Sequence, residues 1–209
     1  MSAKKVALET PGCENLQLVS FHSTSKGLIG ECGRRGGYME LHNIDRYVQS
    51  QVFKLASCSL CSTVSGQVMT SLMVKPPKLG DESYDLFSTE ENEIFAGMKR
   101  RSKALVDGLN KVDGITCNEA EGAMYAFPKV ELSDKAIACA EKQEMSPDVF
   151  YCLSLLNETG ICVVPGSGFG QKEGRYGFRT TFLPPDEQML PAIDLFADHH
   201  RNFTAKYSD

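Results

Sequence analysis

Apolar residues follow two different spacings along the chain, and each spacing predicts one kind of element. Short apolar runs bounded by glycine, proline or polar residues are typical of strands, and they occupy residues 16–21, 38–41, 122–129, 161–164 and 177–182. Apolar positions three or four residues apart are typical of amphipathic helices, and they occupy residues 44–56, 64–74, 88–110, 147–159 and the segment after Pro185. This mixture of strands and helices predicts an α/β fold.

Residues that typically begin or end helices accompany several of these segments. Asn43 is predicted to cap the first helix, and Ser88 with Glu91 forms a capping box for the long helix that runs to about residue 110. Ser146 is predicted to cap the next helix, which begins with a proline and ends at Gly160.

The last helix has an apolar face and a polar end. Met189, Ile193 and Phe196 share helical spacing and are predicted to be buried. His199 and His200 follow them, and we expect both to lie on the surface, since a metal site needs more ligands than this pair supplies.

Composition is that of an ordinary globular protein: 42% of the residues are hydrophobic and 23% are charged. The net charge of −5 argues against nucleic-acid binding, which needs clustered positive charge. The basic stretch at 99–103 follows an acidic stretch at 90–93, an order typical of a solvated helix face. No apolar run is long enough to span a bilayer. The predicted partners therefore include neither nucleic acid nor a membrane.

The chain has eight cysteines, without the dense spacing of a disulfide scaffold. We expect most of them to be small buried side chains. Cys58 and Cys61 form a C-x-x-C pair, but no second pair accompanies them, so packing is favoured over zinc or redox chemistry and no metal is predicted.

The segment from Val19 to Leu41 combines residue types that suit one particular ligand. It surrounds Lys26 with serine and threonine hydroxyls, two adjacent arginines and several glycines. A lysine amine condenses with a carbonyl as a Schiff base, and hydroxyls and an arginine hold phosphate oxygens. Pyridoxal 5'-phosphate carries both an aldehyde and a phosphate. The segment therefore predicts a binding site for this cofactor, with Lys26 as the catalytic residue.

This segment and three later ones resemble the alanine aminotransferase family of pyridoxal-phosphate enzymes, which has the type I fold. The resemblance extends over essentially the whole chain and is carried by Phe-His-Ser-Thr-Ser-Lys-Gly with the glycines and arginines that follow it, and by residues 121–125, 164–170 and 178–181. It implies that Lys26 is the Schiff-base lysine, acting as general base and acid once the substrate amine displaces it.

The resemblance also assigns the ligand-binding residues. Ser23, Ser25 and Arg35 would bind the cofactor phosphate, because the family's phosphate arginine directly precedes a Gly-Gly pair; Arg34 stays open as the alternative. Arg179 would bind the substrate carboxylate through its planar fork.

Only the C-terminal portion of such an enzyme is matched. We expect a fragment in which residues 1–95 are part of the large cofactor domain and residues 96–209 are the small domain, joined by a long helix. The family's ring-stacking aromatic residue and the aspartate that pairs with the pyridinium nitrogen are not found before residue 19. A homodimer in the full-length enzyme and a cytoplasmic location, with the mitochondrion as the alternative, complete these expectations.

The function that the resemblance implies is transamination between L-alanine and 2-oxoglutarate in ping-pong order, giving pyruvate and L-glutamate. Its substrates are thus an amino acid and a 2-oxo acid. Two alternatives stay open: a glutamate–glyoxylate aminotransferase, and a truncated product without catalytic activity.

Overall fold

The computed structural model describes residues 2–208, and the chain divides into two compact units, Met1–Glu91 and Asn92–Asp209. The first unit contains α1 (Ala3–Glu9), β1 (Leu18–Ser23), β2 (Gly37–His42), α2 (Arg46–Ala56), α3 (Val64–Val74) and the start of α4 (Tyr84–Leu109). The second contains the rest of α4, β3 (Ile115–Thr116), β4 (Tyr125–Ala126), β5 (Lys129–Val130), α5 (Asp134–Glu141), α6 (Pro147–Thr159), β6 (Val164–Pro165), β7 (Tyr176–Thr181) and α7 (Asp186–Lys206).

The first unit is built around an antiparallel hairpin. Strands β1 and β2 pair along their whole length, from Leu18 opposite His42 to Ser23 opposite Gly37. Within residues 2–91 only Ala7, Thr24 and Gly66 are buried. Large apolar side chains on this unit are instead exposed, among them Phe21, Leu60 and Leu79 at 76%, 83% and 86%. The first unit therefore has an ordered backbone but does not enclose an apolar core.

The second unit has a closed core around an antiparallel sheet. Its strands lie in the order β3-β5-β7-β4, and β6 also pairs with β7, so β7 pairs with three different strands. Phe178 of this strand is fully buried and stacks on both Tyr151 and Phe196. Leu105 and Leu109 from α4 and Leu155 from α6 complete the centre of the core.

Several predicted elements are confirmed and others are corrected. The helix over 64–74 is found with the predicted bounds, and α6 begins at Pro147 and ends at a left-handed Gly160 as predicted. Ser146 occupies the cap position of α6, but its side chain makes no capping hydrogen bond. Pro128 separates the predicted strand 122–129 into β4 and β5, since proline has no N–H to donate to a sheet. Of the run 161–164, only its last residue joins a strand.

The predictions of two helix caps, Asn43 and Ser88, were wrong. Asp45, not Asn43, caps α2, and its carboxylate accepts hydrogen bonds from the backbone N–H groups of Tyr47 and Val48. Asn43 has a left-handed backbone, and its side-chain amide donates to the carbonyl of Glu14 at 2.8 Å. Ser88 lies inside α4, which begins four residues earlier at Tyr84, so it is not at the cap position of this helix.

The two histidines of α7 are buried, contrary to the prediction. The Tyr151 hydroxyl lies 3.1 Å from Nδ1 of His200, and Nε2 of His199 lies 3.1 Å from the hydroxyl of Ser154. Burial lowers the pKa of both imidazoles, because the charged form loses hydration. Of the predicted core residues, Met189 and Phe196 are buried and Ile193 is half-buried.

Most cysteines are not buried, which corrects the expectation that they are mostly small buried side chains. Only Cys117 and Cys152 are buried, whereas Cys58 and Cys61 are both exposed and all eight thiols are free. Burial raises the pKa of the Cys152 thiol to about 12. Among the residues that the structure describes, no group of three or more His, Cys, Asp or Glu side chains is placed to hold a metal ion. Over that same range, no helix combines the length and the apolar character needed to cross a bilayer.

Candidate active site

Lys26 lies in the loop that joins β1 to β2, and backbone hydrogen bonds close this loop. Thr24 donates its N–H and its hydroxyl to the carbonyl of Gly36, at 3.1 and 3.2 Å. Its own carbonyl accepts the N–H of Glu31 at 2.8 Å. Thr24 is fully buried, whereas Lys26 two residues later is exposed. Lys26 is thus an exposed side chain in a loop that these hydrogen bonds close.

The end of the loop packs directly against helix α3, and glycine makes this approach possible. A Cβ on Gly66 would lie 2.7 Å from the carbonyl oxygen of Arg35 and 2.8 Å from that of Arg34. The hydroxyl of Thr63, which caps α3, donates to the carbonyl of Arg34 at 2.9 Å. Helix α3 therefore determines the position of the backbone of Arg34 and Arg35 at the end of the loop.

The predicted phosphate ligands lie in this same loop. The hydroxyl of Ser23 accepts the N–H of Ser25 at 3.3 Å, and both serines are half-buried. Arg35 has a left-handed backbone with φ 56°, and its Nη1 donates to the carbonyl of Cys32 at 3.1 Å. Arg34 forms an ion pair with Glu31 at 3.6 Å. Of the two arginines, Arg34 faces a carboxylate and Arg35 faces a carbonyl.

These residues fit pyridoxal phosphate by the chemistry of their donors. Within residues 2–208 the side chain of Lys26 has no hydrogen bond or ion pair, so its amine is available to a carbonyl. Two hydroxyls and a guanidinium without a carboxylate partner stand in the same loop as possible donors to a phosphate. The donor set therefore matches both functional groups of the cofactor.

Arg179, the predicted carboxylate ligand, lies in the second unit on strand β7. It stands opposite Val164 of β6 and is half-buried. Its guanidinium carbon lies 4.5 Å from the centre of the Tyr125 ring and 4.8 Å from that of Phe169. Over the described part of the chain, its side chain has no hydrogen bond or ion pair, so its N–H fork is free to bind an anion.

Sequence reasoning missed four residues that position these side chains. Thr24 and Gly66 shape the lysine loop, and Tyr125 and Phe169 contact Arg179. Phe169 belongs to the 164–170 segment, one of those that carry the resemblance, to which no catalytic or binding role was assigned. A hydroxyl residue beside the lysine was a usable signal for Thr24, whereas Gly66 looks like an ordinary helical glycine until its neighbours are known.

Comparisons with known proteins identify the family of the chain. The chain is 49% identical over 208 residues to the protein named probable alanine aminotransferase, mitochondrial, of Dictyostelium discoideum, which matches 99% of this chain and 39% of that protein. It is 48% identical to alanine aminotransferase 2, mitochondrial, of Arabidopsis thaliana, over 99% of this chain and 38% of the relative. It is also 47% identical to glutamate–glyoxylate aminotransferase 2 of Arabidopsis thaliana, over 100% of this chain and 44% of the relative. The chain thus spans about two fifths of the length of the curated relatives it matches.

Solved structures share the fold. The alanine aminotransferase from Pyrococcus furiosus matches 92% of this chain and 45% of its own length, with a TM-score of 0.72 and 25% identity. An aminotransferase from Escherichia coli matches with a TM-score of 0.71 at 20% identity, over 92% of this chain and 44% of its own. The predicted α/β fold is therefore confirmed. The family model described as aminotransferase class I and II matches residues 2–196. This chain belongs to the class I and II aminotransferase family, whose cofactor is pyridoxal 5'-phosphate.

Proposed function

We propose that this chain supplies the cofactor lysine, the phosphate ligands and the carboxylate arginine of a transaminase. The observation that carries the proposal is the exposed, unpaired amine of Lys26 on a loop that also holds Ser23, Ser25 and Arg35. The alternative for any single lysine is a solvated surface side chain. The closed loop with these donors, in a chain of this family, favours the catalytic role.

Each side chain has a defined task. Pyridoxal phosphate, when bound, supplies a reactive carbonyl and an electron sink. Ser23, Ser25 and Arg35 bind its phosphate through charge-assisted hydrogen bonds. Arg179 binds the α-carboxylate of the substrate through two parallel N–H donors, which determines the direction of the Cα–H bond. The amine of Lys26 would take the Cα proton as general base and, as general acid, release it to the cofactor rather than back to Cα.

We propose L-alanine and 2-oxoglutarate as substrates, with pyruvate and L-glutamate as products formed in ping-pong order. Relatives named alanine aminotransferase support this choice. A relative named for glutamate and glyoxylate supports a second candidate acceptor at almost the same identity. Steady-state rates with glyoxylate and with pyruvate as amino acceptors decide between them, because only a glutamate–glyoxylate enzyme would prefer glyoxylate.

We further propose that residues 1–95 belong to a large cofactor domain and that residues 96–209 form the small domain. The activity then belongs to a longer enzyme, which we propose to be a homodimer in the cytoplasm. The open apolar surface of the first unit supports the longer enzyme. Two relatives are named mitochondrial, so localisation of the tagged full-length protein is the test for the compartment. Light scattering of that protein tests the dimer.

Chemical trapping tests the role of Lys26. The full-length protein loaded with pyridoxal phosphate is reduced with borohydride and digested, and the labelled peptide is identified by mass spectrometry. We expect the label on Lys26, and Lys26→Ala should abolish both label and turnover. Lys54→Ala, which removes another exposed lysine, from α2, is the matched control and should retain both. A label on a different lysine would overturn the proposal.

A second candidate function is a truncated product without activity. It is favoured by the first unit, in which Ala7, Thr24 and Gly66 are the only buried residues over 2–91. The test is to titrate the 209-residue chain with pyridoxal phosphate and to assay alanine turnover. Turnover by this chain alone would exclude the second candidate.

A further inference from the structure

Arg179 lies against two aromatic rings that come from different parts of the second unit. Its guanidinium carbon is 4.5 Å from the centre of the Tyr125 ring and 4.8 Å from the centre of the Phe169 ring. Both distances are within the range of a cation–π contact. The guanidinium of Arg179 has no hydrogen bond or ion pair within the described residues, so its N–H donors remain available beside the rings.

The Tyr125 ring is held in place by the sheet. Tyr125 of β4 lies opposite Thr181 of β7. Arg179 is two residues before Thr181 on β7, so Tyr125 is in a diagonal position relative to Arg179. Side chains in diagonal positions of an antiparallel pair are within reach when they are long or aromatic. The hydroxyl of Thr181 donates to the carbonyl of Met124 at 2.9 Å and reinforces this register.

The Phe169 ring is held by a turn that a buried carboxylate fastens. Phe169 ends the 3₁₀ turn Gly166–Phe169 after β6. Asp148, which is buried at the start of α6, accepts the N–H of Ser167 at 2.6 Å and the side-chain amide of Gln171 at 3.1 Å. Phe127 also meets the Phe169 ring edge-to-face, with ring centres 5.5 Å apart.

We propose that Tyr125 and Phe169 are positioning residues that hold the guanidinium of Arg179 in the orientation that receives the substrate carboxylate. The inference rests on the proposed function of Arg179. A free arginine side chain loses rotamer freedom when it binds an anion, and the rings reduce that loss by restricting the side chain beforehand. Phe169 is 46% exposed, which agrees with a role other than core packing.

The test compares ring-removing and ring-retaining variants of the full-length enzyme. Tyr125→Leu and Phe169→Leu remove a ring, whereas Tyr125→Phe and Phe169→Tyr keep it. Two quantities are measured: the KM and kcat for L-alanine, and the Kd of propionate, which has the same carboxylate but no amino group to react. Each ring-removing variant should raise KM and Kd about two- to fivefold at unchanged kcat. The ring-retaining variants should restore both values.

Phe95→Leu is the matched control, since Phe95 is similarly exposed on α4 of the same unit and has no ring contact with Arg179. It should change neither KM nor Kd. A double-mutant cycle on kcat/KM adds a readout that a merely structural role would not move. Tyr125→Leu should have little further effect when Arg179 is already alanine, because the ring acts through the arginine.

The possible outcomes separate this inference from the proposed function. If Arg179→Ala raises KM and Kd but the ring-removing variants do not, or if the cycle is additive, the positioning role is overturned and the carboxylate role remains. If Arg179→Ala changes neither quantity, the proposed function of Arg179 fails and the inference with it. Thermal unfolding is recorded for every variant, and Phe169→Leu decides the matter alone should Tyr125→Leu not fold.

Discussion

At the scale of single residues, the two adjacent arginines after the lysine loop have different surroundings. Arg34 forms an ion pair with Glu31, whereas Arg35 donates to a backbone carbonyl and has no carboxylate partner within the described residues. An anion that binds Arg34 must compete with a carboxylate already present. Arg35 is therefore the better candidate for the phosphate.

This difference makes a prediction about cofactor affinity. Arg35→Ala should raise the Kd of pyridoxal phosphate roughly 10- to 100-fold, because a hydrogen bond to a charged group contributes about 1.5–3 kcal/mol. Arg34→Ala is the matched control and should have a clearly smaller effect. The measurement is equilibrium titration of the full-length apoenzyme. A larger effect at Arg34 would reverse the assignment.

At the scale of elements, the contact between α3 and the lysine loop depends on the absence of a side chain. Gly66→Ala should lower the thermal midpoint and weaken cofactor binding, because the new Cβ would lie within 3 Å of the Arg34 and Arg35 backbone. Alanine in a helix is otherwise favoured over glycine by about 0.5–1 kcal/mol, so destabilisation here would have the opposite sign to the usual effect.

Gly33→Ala provides the control for this prediction. Gly33 lies in the same loop, and a Cβ there would meet no atom within 4 Å. Its alanine variant should bind cofactor as the unaltered protein does. If Gly66→Ala proves neutral or stabilising, the close approach of α3 does not position the loop.

The packing of α7 on α6 makes stability depend on pH. Burial lowers the pKa of His199 and His200 below the ordinary value of 6.5, so in acid the unfolded chain takes up protons before the folded one does. Stability is therefore full above pH 6.5 and is lost as the pH falls from there towards the folded-state pKa values.

Thermal unfolding of the full-length protein between pH 8 and pH 5 is the measurement. The thermal midpoint should decrease as the pH is lowered below 6.5. The decrease should be smaller in His199→Gln, because glutamine does not titrate and can still form a hydrogen bond with the Ser154 hydroxyl. An identical pH dependence in His199→Gln would show that this histidine does not contribute.

At the scale of the whole molecule, the two units differ in how much apolar surface they bury. The second unit contains every residue of the core cluster, from Leu105 to Phe203. The first buries three residues of the ninety described in it (residues 2–91) and leaves large apolar side chains such as Phe21, Phe53 and Leu60 exposed. Since burial of apolar surface is the main favourable term in folding, only the second unit has the basis for independent stability.

We therefore expect residues 92–209 alone to unfold cooperatively, and residues 1–91 alone to show no cooperative transition. Circular dichroism during heating and tryptic digestion of both polypeptides are the measurements. A cooperative transition in residues 1–91 would contradict this account of the first unit.

Local signals in the sequence were sufficient wherever neighbouring residues decide the structure. The bounds of α3, the proline start and glycine end of α6, and a lysine loop between two strands are all properties of short segments. The grouping of Lys26 with Ser23, Ser25 and Arg35 was also readable, because Ser23 ends strand β1 and the other three lie in the loop that follows it.

Contacts between distant residues decided the rest. Asn43 and Asp45 are equally good caps by type, and the bond from Asn43 to Glu14, 29 residues away, leaves Asp45 to cap α2. The histidines look like surface residues until α6 brings Tyr151 and Ser154 to them. The ring contacts of Arg179 likewise need β4, the turn after β6 and β7 to meet. The sequence alone thus determined the family, the local elements and the chemical groups. Tertiary packing determined which polar groups are buried and which side chains contact the reactive side chains, because burial depends on partners that the sequence pattern does not specify.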